Sequence, residues 1–196
     1  MDQIEQFLRV GLGITDEQLI IRAKTVSYIR NVQKGEHLAY AGEKMPGVMF
    51  LFKGMFRFYY LDNMGREHTD CFCGEYGYPV IPAIDFSMPL PISVQALEDS
   101  VVLVIPIELI QELMEDNIEI IRLYNRMLIQ SLTKHWEDKM ALHQFDAAQR
   151  YEWFLKRYEG LIDRVPHLHI ASFLNISPVT LSRLRKNIKM ERPNQS

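Results

Sequence analysis

Ser182, Arg183 and Lys186 place a hydroxyl, a guanidinium and an ammonium within five residues of one another. On one face of a helix, such groups hydrogen-bond and charge-pair with nucleic acid. They lie in the segment Ile-Ala-Ser-Phe-Leu-Asn-Ile-Ser-Pro-Val-Thr-Leu-Ser-Arg-Leu-Arg-Lys, residues 170–186, which reads as two short helices joined by a tight turn, the second one basic. Ala171 is small enough for two helix axes to approach closely. Asn175 sits where the chain must turn, and Asn tolerates left-handed dihedrals better than any residue except Gly. Ser177 is placed to cap the second helix, and Pro178 fits its first position, where no amide hydrogen is needed. Ile170, Leu174, Ile176, Leu181 and Leu184 fall on inner faces, which leaves Ser182, Arg183 and Lys186 pointing outward. This is the layout of a helix-turn-helix, whose second helix enters the DNA major groove. An ordinary helical hairpin with a solvated basic face is the alternative.

The rest of the chain must position that tip. Residues 4–24 read as two short helices, with Ile4, Phe7, Leu8, Leu12, Leu19, Ile20 and Ala23 on apolar faces and Thr15 as the second N-cap. From Val26 to Ile105 short apolar runs alternate with glycine-containing turns: residues 25–31, 35–40, 47–52, 56–61, 68–72, 92–97 and 101–105. Asp62-Asn63-Met64-Gly65 reads as a hairpin turn. Seven or eight such strands indicate a barrel or jelly-roll sandwich. Pro106 then opens a helical half, with a short helix over 107–115 and a long one over 117–143. Along the long helix Ile118, Ile121, Asn125, Leu128, Leu132, His135, Lys139 and Leu142 are spaced alternately three and four, a heptad seam diluted by polar residues. Ile120, Leu123, Tyr124 and Met127 form a second stripe, directed at the barrel. Two stripes mean two partners, and a parallel pair of helices across a dimer axis supplies the second. Asn125 would then fix the register of the pair. A further helix over 147–157 leads through Tyr158–Arg164 and Pro166 into the tip.

Composition supports a globular protein: 47% of the 196 residues are hydrophobic and 24% charged, which excludes the disordered class. No run approaches a membrane span, and the acidic start Met1-Asp2-Gln3-Ile4-Glu5 lacks the pattern of a signal peptide, so a cytoplasmic protein is expected. The net charge of −3 is unevenly divided. Residues 164–196 carry six basic side chains against Glu191 alone, a net +5, which leaves −8 for residues 1–163. Such segregation suits a polyanion-binding module on an acidic body. The two cysteines, Cys71 and Cys73, are one residue apart in an apparent strand, share a face, and are badly placed for a mutual disulfide. With His68 nearby they still fall short of a metal site.

Barrel, long helix and helix-turn-helix in that order resemble the Crp/Fnr family of bacterial transcription regulators, and the resemblance covers nearly the whole chain. It rests on the spaced glycines of Lys34-Gly35-Glu36, Ala41-Gly42-Glu43, Lys53-Gly54, Met64-Gly65 and Cys73-Gly74-Glu75, and more specifically on Ile-Ser-Pro-Val-Thr-Leu-Ser-Arg. The resemblance implies an α+β fold in three parts. Residues 1–116 would form short helices plus a cyclic-nucleotide-binding-like β-barrel or jelly roll, 117–143 the dimerisation helix, and 144–196 the helix-turn-helix domain. It also implies a homodimer on double-stranded DNA, one recognition helix per half of a near-palindromic operator, acting with RNA polymerase. Arg183 matches the family's base-reading arginine and is expected to contact guanine, with Ser182 beside it. Thr180 and Lys186 suit phosphates, Ser177 caps the helix, and Val179 can touch a thymine methyl. Arg185 and Lys189 are left between backbone contact and solvent. The family's β-hairpin beside the reading head has hardly room between Arg164 and His169.

Members that bind cyclic AMP open a phosphate-binding cassette with Gly-Glu and close it with Arg-Ser or Arg-Thr. Here Gly74-Glu75 matches the opening, but Ile92-Ser93 stands at the close. Pro79, Pro82, Pro89 and Pro91 forbid a regular helix between them. Isoleucine supplies neither forked donors nor charge, so no response to cyclic AMP is expected. A different, unidentified small-molecule effector remains open, among Gly74, Glu75, Ile92 and Ser93 or the aromatic residues Phe50, Phe52, Phe56, Phe58, Phe72 and Tyr76. Those aromatic residues otherwise fill the core. No cofactor is expected. An iron–sulfur cluster needs more cysteines than two, and His37, His68 or Cys71 as a haem ligand has no motif behind it. A jelly-roll oxygenase would need paired His and carboxylate ligands, so an enzyme is not expected. The competing reading is a ligand-sensing module whose C-terminal helices bind a protein.

Overall fold

The computed structural model describes residues 2–44, 47–80 and 88–191. Pro82 of the cassette loop and Arg192 lie outside the described residues. Two compact units divide the chain. The first runs to Tyr60 and again from Cys71 to Ser131; the second holds Leu61–Asp70 and the described residues from Leu132 onward.

The first unit opens with helix α1 (Gln3–Gln6), continued by a π-helical turn over Phe7–Gly11, and helix α2 (Glu17–Val26). Asp16, not Thr15, caps α2: its carboxylate accepts the amides of Gln18 and Leu19 at 2.9 and 3.1 Å. Thr15 instead donates its amide and hydroxyl to Glu119 at 2.9 and 3.2 Å. The helix also runs on to Val26, so the first strand starts later than the apolar run suggests.

Among the described residues seven strands follow: β1 (Tyr28–Val32), β2 (His37–Ala39), β3 (Gly47–Lys53), β4 (Phe56–Leu61), β5 (Glu67–Cys73), β6 (Ser93–Ala96) and β7 (Ser100–Pro106). They form a three-stranded sheet, β1-β7-β3, and a four-stranded sheet, β2-β6-β4-β5. Turn glycines Gly35, Gly42, Gly54 and Gly65 have positive φ. At Gly54 (φ +107) a side chain is excluded twice over, because a Cβ there would also meet Ser100 Oγ at 2.1 Å. The β4–β5 turn closes on Asp62, whose carboxylate accepts the amides of Met64 and Arg66 at 2.8 and 3.0 Å. These bonds, with those from Arg66 and His68, hold its carboxyl well below the usual range.

Two apolar layers form. One lies between the strands and contains Leu38, Met49, Leu51, Phe56, Phe58, Val94, Val102 and Val104, with Cys73 buried and Cys71 at its margin. The other covers the outer face of the three-stranded sheet, where Val48, Phe50, Phe52, Leu103 and Ile105 meet Phe7, Leu8, Leu19, Ile20 and Ala23. Strand β3 is therefore buried on both faces, which explains its unbroken apolar run. Helix α3 (Ile107–Asp116) adds Leu109 and Leu113 to the outer layer. Helix α4 (Ile118–Gln144), capped by Asn117 Oδ1 on the amides of Glu119 and Ile120, adds Ile120.

Of the aromatic residues open to two readings, Phe56 and Phe58 lie in the inner layer and Phe50 and Phe52 in the outer one. Tyr76 is exposed and stacks on Phe52 with centroids 5.5 Å apart.

Candidate nucleic-acid interface

The second unit contains α4 from Leu132, α5 (Ala147–Arg157), α6 (Leu161–Arg164), α7 (His167–Phe173) and α8 (Pro178–Glu191). Asp146 starts α5 with a reciprocal capping box: its carboxylate takes the Ala148 and Gln149 amides, and the Gln149 side chain takes the Asp146 amide. Tyr151, Phe154, Tyr158, Leu161, Ile170, Phe173, Leu174 and Leu181 are buried. Their centre is aromatic: Phe173 lies 5.6 Å from Tyr158, 5.9 Å from Phe154 and 6.1 Å from Trp153 between ring centroids.

Around this core the α7–α8 corner is set by local chemistry. Ala171 is fully covered, so the helices meet where the side chain is smallest. Asn175 has φ +52, the only positive φ at a non-glycine among the described residues. That left-handed residue lets the Ile176 amide reach back to the Ala171 carbonyl at 3.0 Å. Ser177 Oγ accepts the Thr180 amide at 3.1 Å and lies 2.9 Å from the Thr180 hydroxyl. Thr180 is thus half-buried and engaged at the cap.

Beyond the cap, Val179, Ser182, Arg183 and Lys186 are exposed on one side of α8 while Leu181 is buried on the other. Among the described residues, no ion pair holds Arg183 or Lys186. His167, Pro178, Leu181, Ser182, Arg185 and Lys186 line a cleft of about 320 Å³ beside this face. Arg185 is turned inward. Its Nη1 lies 2.9 Å from His167 Nδ1 and also meets Nε2. Burial, then the charge of Arg185, keeps the His167 imidazole below its usual range, and burial pushes the Tyr151 phenol up. Arg185 is therefore committed within its own unit. Only Val165 and Pro166 separate α6 from α7, which leaves no length for a hairpin there.

Sequence reasoning missed a buried acid behind the interface. Asp138 is 5% exposed; its Oδ2 accepts the Tyr158 hydroxyl at 2.6 Å, and its Oδ1 has no hydrogen-bond partner. Arg157 Nε stands 3.9 Å away. Burial raises the carboxyl above the usual range, opposed by the Tyr158 hydrogen bond and by the charges of Lys134, Arg157 and His135.

On α4, the expected seam residues divide. Asn125, Leu132 and His135 are exposed, whereas Ile121 and Leu128 are half-buried. Large apolar side chains outside that seam also face solvent: Ile129, Trp136 and Met140 are 66, 51 and 48% exposed, beside Leu132 at 57%.

The four cassette residues lie in the first unit. Gly74 and Glu75 follow β5 and are exposed, while Ile92 is half-buried against the inner apolar layer. Ser93 opens β6, and its hydroxyl accepts the Ala41 amide at 3.0 Å. A buried guanidinium that the sequence did not announce, Arg57 on β4, is held by Gln95 Oε1 at 2.8 and 2.6 Å and lies 4.3 Å over Tyr59. His37 hydrogen-bonds Tyr59 at 2.9 Å, and His68 lies 3.1 Å from Asp62. Among the described residues, no group of three or more His, Cys, Asp or Glu is placed to hold a metal, and no helix is long and apolar enough to cross a membrane.

Residues 29–117 match the cyclic nucleotide-binding domain family. No curated protein sequence is significantly similar to the chain. Among solved structures, FixK2 from Bradyrhizobium japonicum superposes with a TM-score of 0.72 at 16% identity, over 85% of this chain and 86% of that one. CLP of Xanthomonas campestris, a regulator responsive to c-di-GMP, gives 0.72 at 16% identity over 90% and 93%. A protein from Eubacterium rectale assigned to the Crp/Fnr family of transcriptional regulators gives 0.72 at 16% identity over 90% and 85%.

Proposed function

From a chain that carries a cyclic nucleotide-binding domain and has the fold of the Crp/Fnr regulators, we propose a sequence-specific, dimeric DNA-binding transcription regulator that does not respond to cyclic AMP. One observation carries the DNA reading. Val179, Ser182, Arg183 and Lys186 share the solvent side of a helix whose opposite side is buried, and no ion pair neutralises the two cations among the described residues.

In this reading Arg183 contacts a guanine edge with Ser182 beside it. Val179 meets a thymine methyl, and Lys186 contacts phosphate. Thr180 and Ser177 hold the helix start, and with the Ser177 hydroxyl donating to Thr180 Oγ1, the Thr180 hydroxyl donates to a backbone phosphate. Two copies paired through α4, with Asn125 setting register, present two recognition helices about 34 Å apart. RNA polymerase is the downstream partner such a regulator acts upon.

The cyclic AMP position is argued from charge. The residue at the cassette's close is Ile92, lodged against apolar side chains, and the Ser93 hydroxyl is already used by Ala41. A cyclic phosphate there would lack its cation, at a cost of several kcal/mol.

The test is selection of bound duplexes from a random pool, followed by titration of variants on the selected site. Arg183→Ala is expected to erase about 1–3 kcal/mol of preference for that site. Lys186→Ala should weaken all duplexes together and reduce the salt slope by about one. Equal loss of preference in both variants would reverse the two roles. Failure to enrich any duplex would favour a ligand-sensing module whose C-terminal helices bind a protein.

A further inference from the structure

The cleft beside the basic face of α8 holds a pair of groups that base reading leaves unused. His167, at the start of α7, is exposed, and Arg185 of α8 reaches its ring edge. Ser182 and Lys186 line the same cleft, and among the described residues no carboxylate lines it.

We propose that His167, Ser182, Arg185 and Lys186 form a seat for one phosphate of the DNA backbone, and that His167 takes up a proton as the phosphate enters. This rests on the DNA reading above and adds to it a site and a dependence on pH.

Donor counting argues first. A guanidinium only donates, so the imidazole edge must offer Arg185 a lone pair, and an imidazole has one only while it is neutral. Protonated, it would set two cations against each other with no acceptor between them. A phosphate oxygen supplies that acceptor. Arg185 carries five N–H donors in a planar fork, more than one ring can accept, so it has donors to turn to an anion.

Charge argues next. The charged and titratable groups facing His167 are Arg185 and Lys186 from α8 and Asp163 from α6, with Tyr151 of α5 next to Arg185. Two cations outweigh one acid, and burial together with the charge of Arg185 disfavours the imidazolium in the free chain. An anion in the cleft reverses that balance.

Position gives the ligand its source. Ser182 and Lys186 stand on the same exposed side of α8 as Arg183, and Arg185 closes the cleft behind them. A strand whose base edge meets Arg183 carries its own phosphates past this side. Because the bound state holds the extra proton, falling pH tightens binding.

The experiment uses the full chain and two probes. Imidazole titrations are followed by NMR in chloride and in rising sulfate, whose charge does not change near neutrality. Affinity for the selected duplex is then measured at pH 6 and pH 8 at fixed ionic strength. Sulfate is expected to move the His167 titration saturably to higher pH and to leave His169 in place. Duplex affinity should rise about tenfold per reading head from pH 8 to pH 6. His167→Gln should abolish that rise, and His169→Gln should keep it. A His167 titration indifferent to sulfate would overturn the seat. So would duplex binding that is equally tight at both pH values, with the regulator reading left standing. A sulfate-saturable His167 in a chain that binds no duplex at either pH would overturn DNA as the source of the phosphate, and the regulator reading with it.

Discussion

Asp138 is an acid placed where only one of its two oxygens finds a donor, and that donor is Tyr158. Because burial raises its carboxyl, the folded chain binds the proton more tightly than the unfolded one. The stability linked to that proton is fully present below the unfolded value, near 4, and is lost as pH rises through the elevated folded one. When ionised, the acid depends on the tyrosine hydroxyl. Tyr158→Phe is therefore expected to destabilise the chain by about 2 kcal/mol at pH 7, and by less near pH 4, in denaturant titrations at the two values. An equal loss at both would mean that the hydroxyl does not serve the charged acid. Residues of this kind were illegible in the sequence. Asn175, Ser177 and Ala171 could be read because a left-handed corner, a cap and a close approach are decided within a few residues. The burial of Asp138 and Arg57 is decided by segments twenty or more residues away (Tyr158 for Asp138, Gln95 for Arg57), and the engagement of Arg185 by a helix across the corner.

Helix α4 shows the same divide among whole elements. Its length and its inward stripe followed from periodicity, and Ile120, Leu123 and Met127 do meet the outer apolar layer. The outward stripe includes the exposed Asn125, Leu132 and His135, and Ile129, Trp136 and Met140 stand exposed beside it. A seam of threes and fours admits two neighbouring tracks, and only the packing of the inner stripe chooses between them. Ile129, Leu132, Trp136 and Met140 are large apolar side chains left in solvent. Leu132→Glu and Trp136→Glu are accordingly expected to convert the proposed dimer to monomer in sedimentation, with the far-ultraviolet dichroism unchanged. A wild-type chain that sediments as a monomer would remove the premise. Strand positions, by contrast, were nearly all readable, since each apolar run stood between turn residues. Strand order was not, because pairings such as β1 with β7 join residues some seventy apart.

For the molecule as a whole, the decisive contrast is between a domain family and the chemistry of one site within it. Residues 29–117 match the cyclic nucleotide-binding domain family, yet Ile92, packed on the inner apolar layer, stands where a cationic side chain is expected in members that bind cyclic AMP. Calorimetry with cyclic AMP is expected to show no saturable heat up to about 1 mM, the weakest binding worth about 4 kcal/mol; a micromolar fit would overturn the charge argument. One last feature bears on how the two rods are joined. Phe145 and Asp146 alone part α4 from α5, and the reciprocal bonds of Asp146 and Gln149 seal the start of the second rod. Fusing the two rods into one would sacrifice both bonds. At its other end α5 is tied back to α4, by the Tyr158 hydroxyl on Asp138 and by Arg157 on Glu137. The corner is thus braced at both ends of α5, and a change of its angle would have to break the buried bond to Asp138.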